Sequence, residues 1–386
     1  MKTLKDLISK IDTILYLVLF ALIFSIKTFA QDWTWMNGSN AFNQAANYGT
    51  KTVPAPTNSP GQRRSSVSWT DKQGNLWLFG GSLSSGQKND LWKYDVITNE
   101  WTWMHGGNVI NQYGIYGTKG VASVSNTPGA RYDALGWVDK TGNLWLYGGL
   151  GLSIGPSGAL EDLWKYDIAT NQWTWINGAS GPNNIATYGT KGISSPSNNP
   201  AGRGYMKAFT DTSGNFWLFG GIAFVNDYLN DLWKYDVSTN EWTWVSGSNI
   251  VAQQGNYGIQ GVSNSSNMPG SRGFTTTWSD NQNNFWLYGG IGYAETGIGG
   301  LDDLWKYNVS TNEWTWVKGS KVTDQSGNYG VIGTSSVSNS PGNRNTAMSW
   351  SNNIANNLYM FGGSAIDYTR LNDMWKYDIN TNEWTW

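Results

Sequence analysis

The tripeptide Trp-Thr-Trp occurs six times along the chain and divides it into five units of nearly equal length. Successive copies start 68, 72, 69, 72 and 70 residues apart. A fixed period with this self-similarity is typical of repeat architectures, in which each unit buries its apolar surface against its neighbours. The copies begin at Trp33, Trp101, Trp173, Trp242, Trp314 and Trp384.

Other residues recur at fixed positions inside every unit. Each unit contains a Tyr-Gly pair, then an arginine, then a Gly-Gly pair, and then Asp-(Leu/Met)-Trp-Lys-Tyr. The spacing varies mainly between Gly-Gly and the aspartate, which follows the second glycine by 9, 13, 10, 13 and 10 positions. A segment that changes length between fixed flanks is typical of a surface loop. Surface loops are therefore predicted at 82–89, 150–161, 222–230, 291–302 and 364–372.

Each unit also contains four short segments with the alternation of a β-strand. In the second unit they span 131–138, 143–147, 162–167 and 172–175, and the sequence from Asp139 to Asn143 predicts a hairpin turn between the first two. Four strands per repeat predict an all-β protein with a β-propeller fold. All 25 tryptophans fall in these strand segments. We expect them to fill the space between adjacent blades, because packed sheets lie about 10 Å apart.

Residues 1–30 differ in composition from the repeats. Lys2, Lys5 and Lys10 precede an apolar run at 14–26, and Ala30 precedes a polar stretch. This pattern is typical of a secretory signal peptide. An uncleaved anchor is the alternative, although a membrane span needs roughly 20 apolar residues. We predict cleavage after Ala30, a propeller at 31–386, and a secreted or cell-surface location. Because the chain has no cysteine, a bacterial envelope fits better than a eukaryotic secretory route.

The order of the repeated residues resembles the kelch repeat, in which a Gly-Gly pair is followed by a tyrosine and then a tryptophan. Gly148, Gly149, Tyr166 and Trp173 show this order, and the tryptophan follows the tyrosine by seven positions in all five units. The resemblance covers almost all of 31–386. It implies a propeller of kelch-like four-stranded blades, with five complete repeats and one extra N-terminal outer strand. The units span about 33–100, 101–172, 173–241, 242–313 and 314–386.

The number of blades in the complete ring is left open by the sequence. Kelch-like propellers usually have six or seven blades, whereas five units are complete here. One alternative is a closed five-bladed ring with a surplus outer strand. The other is a chain truncated at its C-terminus, whose sixth blade would continue beyond Trp386 and whose exposed sheet edges would favour association.

The units also resemble the central propeller of galactose oxidase, but the chain lacks the residues of that enzyme's copper site. That site uses two histidines, two tyrosines and a cysteine, whereas this chain has no cysteine and one histidine, His105. Since His105 follows Trp-Thr-Trp at a position that varies between units, we expect it to be exposed. We predict no galactose oxidase activity, no metal site and no cofactor. A net charge of −2 argues against nucleic-acid binding.

The unit-specific polar residues are concentrated in the variable loops, which we expect on one propeller face beside the connections between blades. Tyrosine with acidic groups suits sugar or peptide contacts, and solvated loop surface is the alternative. The predicted ligand-binding residues are Asp227, Tyr228, Tyr293, Glu295, Asp367, Tyr368 and Arg370.

One arginine recurs before the first strand of every unit. These arginines could surround the central channel and attract an anion, or each could pair with the repeated aspartate as a structural ion pair, the alternative we favour. They are Arg63, Arg131, Arg203, Arg272 and Arg344.

The sequence favours an exported, non-catalytic binding module that presents its variable loops to a glycan or protein ligand, with no membrane span after signal cleavage. One alternative is a metal-independent sugar-acting enzyme of the sialic-acid mutarotase type, which would need Glu295 close to one of the repeated arginines. Another is a structural cell-surface or adhesin component. The sequence leaves the oligomeric state open.

Overall fold

The computed structural model describes residues 34–223, 227–352 and 354–386, which form strands and turns without a helix. Residues 34–38 belong to a short unit of their own, and Ser39–Trp386 form the propeller. The predicted extra N-terminal strand falls on Thr34 and Trp35, which have irregular backbone. It also falls on Trp33, which lies outside the described residues together with the predicted signal peptide.

Five antiparallel sheets follow one another along the chain, and each forms a four-stranded blade, so the predicted all-β propeller is confirmed. Within a blade the strands lie in chain order from the inner to the outer position, with small additional strands in blades 1–4. Blade 1 contains β1 (Val67–Thr70), β2 (Leu76–Phe79), the ribbon β3 (Ser82–Leu83) and β4 (Gly86–Gln87), β5 (Leu91–Asp95) and β6 (Glu100–His105); blade 2 contains β7 (Arg131–Tyr132), β8 (Leu135–Val138), β9 (Leu144–Gly151), β10 (Gly158–Asp167) and β11 (Gln172–Asn177); blade 3 contains β12 (Ser194–Ser195), β13 (Lys207–Thr210), β14 (Phe216–Ile222), β15 (Tyr228–Asp236) and β16 (Glu241–Ser246); blade 4 contains β17 (Arg272–Gly273), β18 (Thr276–Ser279), β19 (Asn284–Tyr293), β20 (Ile298–Asn308) and β21 (Glu313–Lys318); blade 5 contains β22 (Met348–Asn352), β23 (Asn357–Phe361), β24 (Met374–Asp378) and β25 (Glu383–Thr385).

The core of the propeller consists of four aromatic layers between successive blades. Between blades 1 and 2, Trp69, Trp77 and Phe79 pack against Trp164 and the other buried side chains of blade 2. Equivalent layers join blades 2 and 3, 3 and 4, and 4 and 5. The tryptophans therefore fill the interblade spaces as the sequence predicts, and their large apolar area is the main stabilising contribution of each layer.

The connections between blades are ordered loops, which we call the collar segments. The ends of each segment are joined by a backbone hydrogen bond of 2.8–3.0 Å, as from Ala130 N to Gln112 O. A buried asparagine then fixes each segment to the outer strand of its blade; Asn126 Nδ2, for example, donates to Trp173 O at 3.0 Å. This closed, pinned geometry is that of an Ω-like loop. The collar segments span 44–62, 112–130, 184–202, 253–271 and 325–343.

The strand boundaries differ from the prediction at two places. The first strand of blade 2 is not continuous over 131–138, because Asp133 has φ = 50° and separates β7 from β8. The second and third strands continue past Gly-Gly after a register shift, so that most of 150–161 belongs to a β-hairpin. The variable loops of blades 2 and 4 are therefore largely hairpin extensions of the sheet, since extended backbone on both sides of the turn can keep pairing. In blade 3 the described ends of the loop pair in the same way, Ile222 with Tyr228.

The two ends of the blade array expose apolar surface that is buried at every internal position. Trp350 of blade 5 is 49 % exposed, whereas its counterparts in blades 1–4 are at most 5 % exposed. Met374 is 48 % exposed, and Leu76, on the opposite end face in blade 1, is 43 % exposed. Inner strands contact each other from β1 to β22 in chain order, but within the described part of the chain no comparable contact joins β22 to β1.

Candidate ligand-binding face

The repeated arginines form the same buried ion pair in all five blades. Each guanidinium binds both carboxylate oxygens of the repeated aspartate in its own unit, and the closest N–O distances are 2.5–2.9 Å. In blade 2, Arg131 Nη1 also donates to Gly148 O at 3.0 Å. The arginine thereby joins the start of the first strand to the end of the second. Because these side chains already have bidentate partners, they are not free to attract an anion in the channel.

Two further groups complete this network in each blade. In blade 2, Asp162 Oδ2 accepts from Tyr116 Oη at 2.6 Å and from Trp164 Nε1 at 2.7 Å. Burial alone would raise the pKa of Asp162, but Arg131 and these donors hold it below the usual range. Burial, together with the charge of Asp162, raises the pKa of Tyr116. The collar segment, which carries the tyrosine, is thereby tied to the blade.

The collar segments and the hairpins between second and third strands lie on one side of the propeller, which we call the collar face. Here the structure brings two of the predicted residues together. The rings of Tyr228 and Tyr293 meet edge to face, with 6.4 Å between their centroids. Burial, followed by the influence of Tyr293, raises the pKa of Tyr228. Asp227 lies nearby on a groove of about 520 Å³, which is bordered by the collar segment 184–202, by the hairpin of blade 3, and by Asn249 and Val251.

The other predicted residues do not join this pair. Glu295 Oε1 forms an ion pair with Lys321 Nζ at 3.2 Å. Among the described residues Glu295 thus pairs with a lysine, whereas the repeated arginines pair with the repeated aspartates. Asp367, Tyr368 and Arg370 lie in the turn region of blade 5, where Arg370 binds the Ser364 hydroxyl and Tyr368 is exposed. The seven residues therefore form separate groups along the collar face.

Sequence reasoning missed a second feature, the mouth of the central channel on the collar face. Five residues that follow the repeated arginines by two positions have left-handed backbone, with φ between 50° and 60°. Non-glycine residues there cost about 1–3 kcal/mol each, and such strain is concentrated at functional sites. Backbone hydrogen bonds link them across blades, as from Asp133 N to Ser65 O at 3.0 Å and from Thr346 N to Phe274 O at 2.9 Å. These channel-mouth residues are Ser65, Asp133, Tyr205, Phe274 and Thr346.

The channel mouth opens into a cavity of about 560 Å³ lined by all five blades. Asp133 and Lys207 are the charged residues of its lining. Burial raises the pKa of Asp133 to about 6, and hydrogen bonding from Ser65 and the charges of Lys207 and Arg64 oppose that rise. Burial lowers the pKa of Lys207, which Asp133 opposes. The signal for this site was available, because the second and fourth positions after the arginine differ in every unit.

His105 is buried, contrary to the expectation that it is exposed. Its exposed fraction is 8 %, and its Nδ1 accepts a hydrogen bond from Gly106 N at 2.8 Å. Its ring meets Tyr166 of the next blade edge to face at 6.3 Å. Burial, followed by the charge of Lys51, lowers the pKa of His105 to about 4, so the imidazole is neutral at pH 7.

Blade 4 carries a buried acid where blades 1 and 3 carry an asparagine. Asn230 Nδ2 donates to Pro269 O at 3.1 Å, and its Oδ1 accepts from Ser248 N at 3.0 Å. At the equivalent position Asp302 Oδ1 accepts from Ser320 N at 3.1 Å. Burial, followed by the charge of Asp303, raises the pKa of Asp302 to about 7. The fold thus favours the protonated acid.

Replacing this acid should therefore stabilise the protein at alkaline pH. A raised folded-state pKa means that wild-type stability falls as pH rises from about 4 to about 7. We expect Asp302→Asn to remove that fall and to add roughly 2–4 kcal/mol at pH 8, since each pKa unit is worth about 1.4 kcal/mol. Thermal melts of both proteins at pH 5 and pH 8 test this. Exposed Asp367→Asn is the control, and equal melting of D302N and wild type at pH 8 would contradict the prediction.

The described residues contain no helix long and apolar enough to cross a membrane. In the same part of the chain, no three His, Asp or Glu side chains are grouped as metal ligands.

Comparison with known proteins gives one family. The kelch-motif model matches residues 213–246, which include β14–β16. Kelch domain-containing protein 10 of Xenopus tropicalis is 24 % identical over 326 residues, covering 81 % of this chain and 61 % of that protein. Multiple epidermal growth factor-like domains protein 8 of Homo sapiens is 29 % identical over 104 residues, 26 % of this chain and 3 % of that protein. The chain thus spans about three-fifths of the length of the first relative.

The blade architecture and the channel define a five-bladed β-propeller with an elaborated collar face. The repeated residues and the kelch-motif match at 213–246 support a kelch-repeat propeller. This kind of propeller is generally a protein-binding module.

Proposed function

We propose that the chain is an exported, non-catalytic binding module that takes a protein or glycan ligand on its collar face. The groove beside Asp227 carries this proposal. It has a volume of about 520 Å³, within the range of small-ligand sites. Its lining includes Ile185, Ala186 and Val251, and Ile185 is 87 % exposed. Exposed apolar side chains beside polar groups are typical of interaction sites.

The rigid construction of the collar face supports the same proposal. The collar segments are closed by backbone hydrogen bonds and pinned by asparagines, so their apolar side chains are held in place before a ligand arrives. Preorganised surfaces lose less conformational entropy on binding. The hairpins, which differ between units, provide the variation that specificity requires.

A charge substitution in the groove should abolish binding. We expect Ile185→Asp combined with Val251→Asp to lower binding to arrayed glycans or peptides at least about tenfold, because carboxylates would replace the apolar contacts. The matched control is Lys140→Asp with Ser213→Asp, which adds two carboxylates on the opposite side, where these residues line a separate cavity. Equal loss in both variants, or ligand binding unchanged by the groove variant, would contradict the proposal.

Export is proposed from residues 1–30. The basic start, the apolar run and Ala30 have the order of a secretory signal peptide. We expect mass spectrometry of the protein recovered outside the cytoplasm to find Gln31 as its first residue. Recovery of the chain only inside the cytoplasm, with Met1 or Lys2 as its first residue, would contradict export.

A further inference from the structure

The channel mouth differs in chemistry from the groove beside Asp227, which we call the collar groove. Six residues with hydroxyl side chains line the cavity, and two of them donate to backbone carbonyls, Ser66 to Gly80 O and Ser349 to Thr277 O. The six are Ser65, Ser66, Ser68, Thr277, Thr346 and Ser349. Such a lining offers hydrogen-bond donors and acceptors in many directions. A ligand that uses them needs several hydrogen-bonding groups, and a polyhydroxylated ring provides these.

An aromatic pair stands beside these hydroxyls. The rings of Tyr205 and Phe274 are 4.1 Å apart between centroids, at an interplanar angle of 34°. Both residues are half-buried and both line the cavity. Both residues have left-handed backbone, with φ of 57° and 60°. Ring faces of this kind pack against the apolar side of a flat or cyclic ligand.

The charges of the channel mouth favour an anion. Lys207 lies in the lining, and Arg64 is close enough to act on Asp133. Asp133 is the single carboxylate of the lining, and Tyr205, Tyr132 and Ser65 also lie near it. Among the described residues Lys207 forms no ion pair, in contrast to the paired arginines, although the charge of Asp133 acts on it. Lys207 and the nearby Arg64 are two cations against the one acid, which leaves a net positive charge.

We propose that the channel mouth binds an acidic saccharide, with the ring carboxylate at Lys207, the hydroxyl groups along the serine and threonine lining, and the apolar ring face against Tyr205 and Phe274. This inference rests on the proposed function, since the inference names the ligand class for the centre of the collar face. A neutral sugar would use the hydroxyls and rings but leave Lys207 unused. An acidic peptide would use Lys207 but not the distributed hydroxyls.

Calorimetric titration of the full protein with glucuronate, galacturonate, glucose and galactose tests the proposal. We expect a uronate to bind at least about tenfold more tightly than its neutral counterpart. Lys207→Met should remove that preference and leave neutral-sugar affinity within about twofold, whereas Lys234→Met, on the third strand of the same blade, should behave like wild type. Uronate affinity should also rise between pH 7.5 and pH 5, because Asp133 loses its negative charge.

Each outcome decides between the two proposals. Equal binding of uronate and neutral sugar, or a preference that survives in Lys207→Met, overturns the acidic-saccharide inference. Binding of an arrayed peptide through the collar groove without any uronate binding overturns this inference alone and leaves the proposed function in place. If Lys207→Met melts below wild type, Lys207→Gln provides the same charge removal with a polar side chain.

Discussion

Replacing Arg203 by methionine is expected to destabilise the propeller by about 3–5 kcal/mol. Arg203 and Asp231 are both fully buried, and the pair is bidentate with N–O distances of 2.5 and 2.8 Å. The variant would leave Asp231 with only Tyr188 and Trp233 as side-chain donors. A buried carboxylate without its counter-ion costs far more than a surface ion pair contributes. Guanidinium denaturation followed by circular dichroism measures the loss.

Two further variants separate charge burial from packing. Arg64→Met changes an exposed arginine and should stay within about 0.5 kcal/mol of wild type. The double variant Arg203→Met with Asp231→Asn should recover at least about half of the loss, because no charge is then left unpaired. A double variant as unstable as the single one would show that the arginine acts through its contacts with the Gly-Gly backbone, where Nη1 donates to Gly220 O at 3.1 Å.

The architecture could be predicted because its determinants repeat. Trp145, Trp164 and Trp173 each recur at a strand position, so one unit explains the others, and period 2 within strands assigns their faces. The arginine and aspartate also recur together in every unit, which favours a structural pair over a binding role. Such ion pairs are present in all five blades. Repetition is thus informative about packing, since equivalent side chains pack in the same way in every blade.

The channel mouth was not predicted, because its residues do not repeat between units. Asp133 and Tyr205 occupy positions where no two units agree, inside a segment whose alternation indicates an ordinary strand. Their left-handed backbone is imposed by hydrogen bonds to the neighbouring blade, as from Phe274 N to Tyr205 O at 3.1 Å. Contacts between blades cannot be derived from the local pattern of one unit. Treating any position that varies between fixed flanks as a candidate would have found these residues.

The separation of the predicted loop residues has a similar cause. Tyr228 and Tyr293 meet because both lie on the hairpins that extend the sheets of adjacent blades past Gly-Gly. Asp367 and Tyr368 lie in blade 5, where the region after Gly-Gly turns without extending β23. Loop length alone indicated variability, but the distance between two loops depends on which blades carry them.

Matched tryptophan variants should reveal the uncovered end of the blade array. Trp278 and Trp350 occupy equivalent strand positions, but Trp278 is 4 % exposed and its Nε1 donates to Tyr359 O at 2.8 Å. We expect Trp278→Ala to cost about 3–5 kcal/mol, the usual loss for a buried tryptophan. Trp350→Ala should cost roughly 1 kcal/mol or less, because water already covers half of its ring. Guanidinium denaturation of both variants at low protein concentration provides the comparison.

The same face predicts self-association at higher concentration. Trp350, Phe361 and Met374 form an apolar surface that corresponds to the buried side of every other blade. Covering this surface with another apolar surface removes both from water and lowers the free energy of the system. We expect the sedimentation coefficient of the wild type to rise with concentration, and Trp350→Lys with Met374→Lys to suppress that rise. If Trp350→Ala instead proves as costly as Trp278→Ala in dilute solution, the face is covered within the protein itself, and the lysine variant will unfold it.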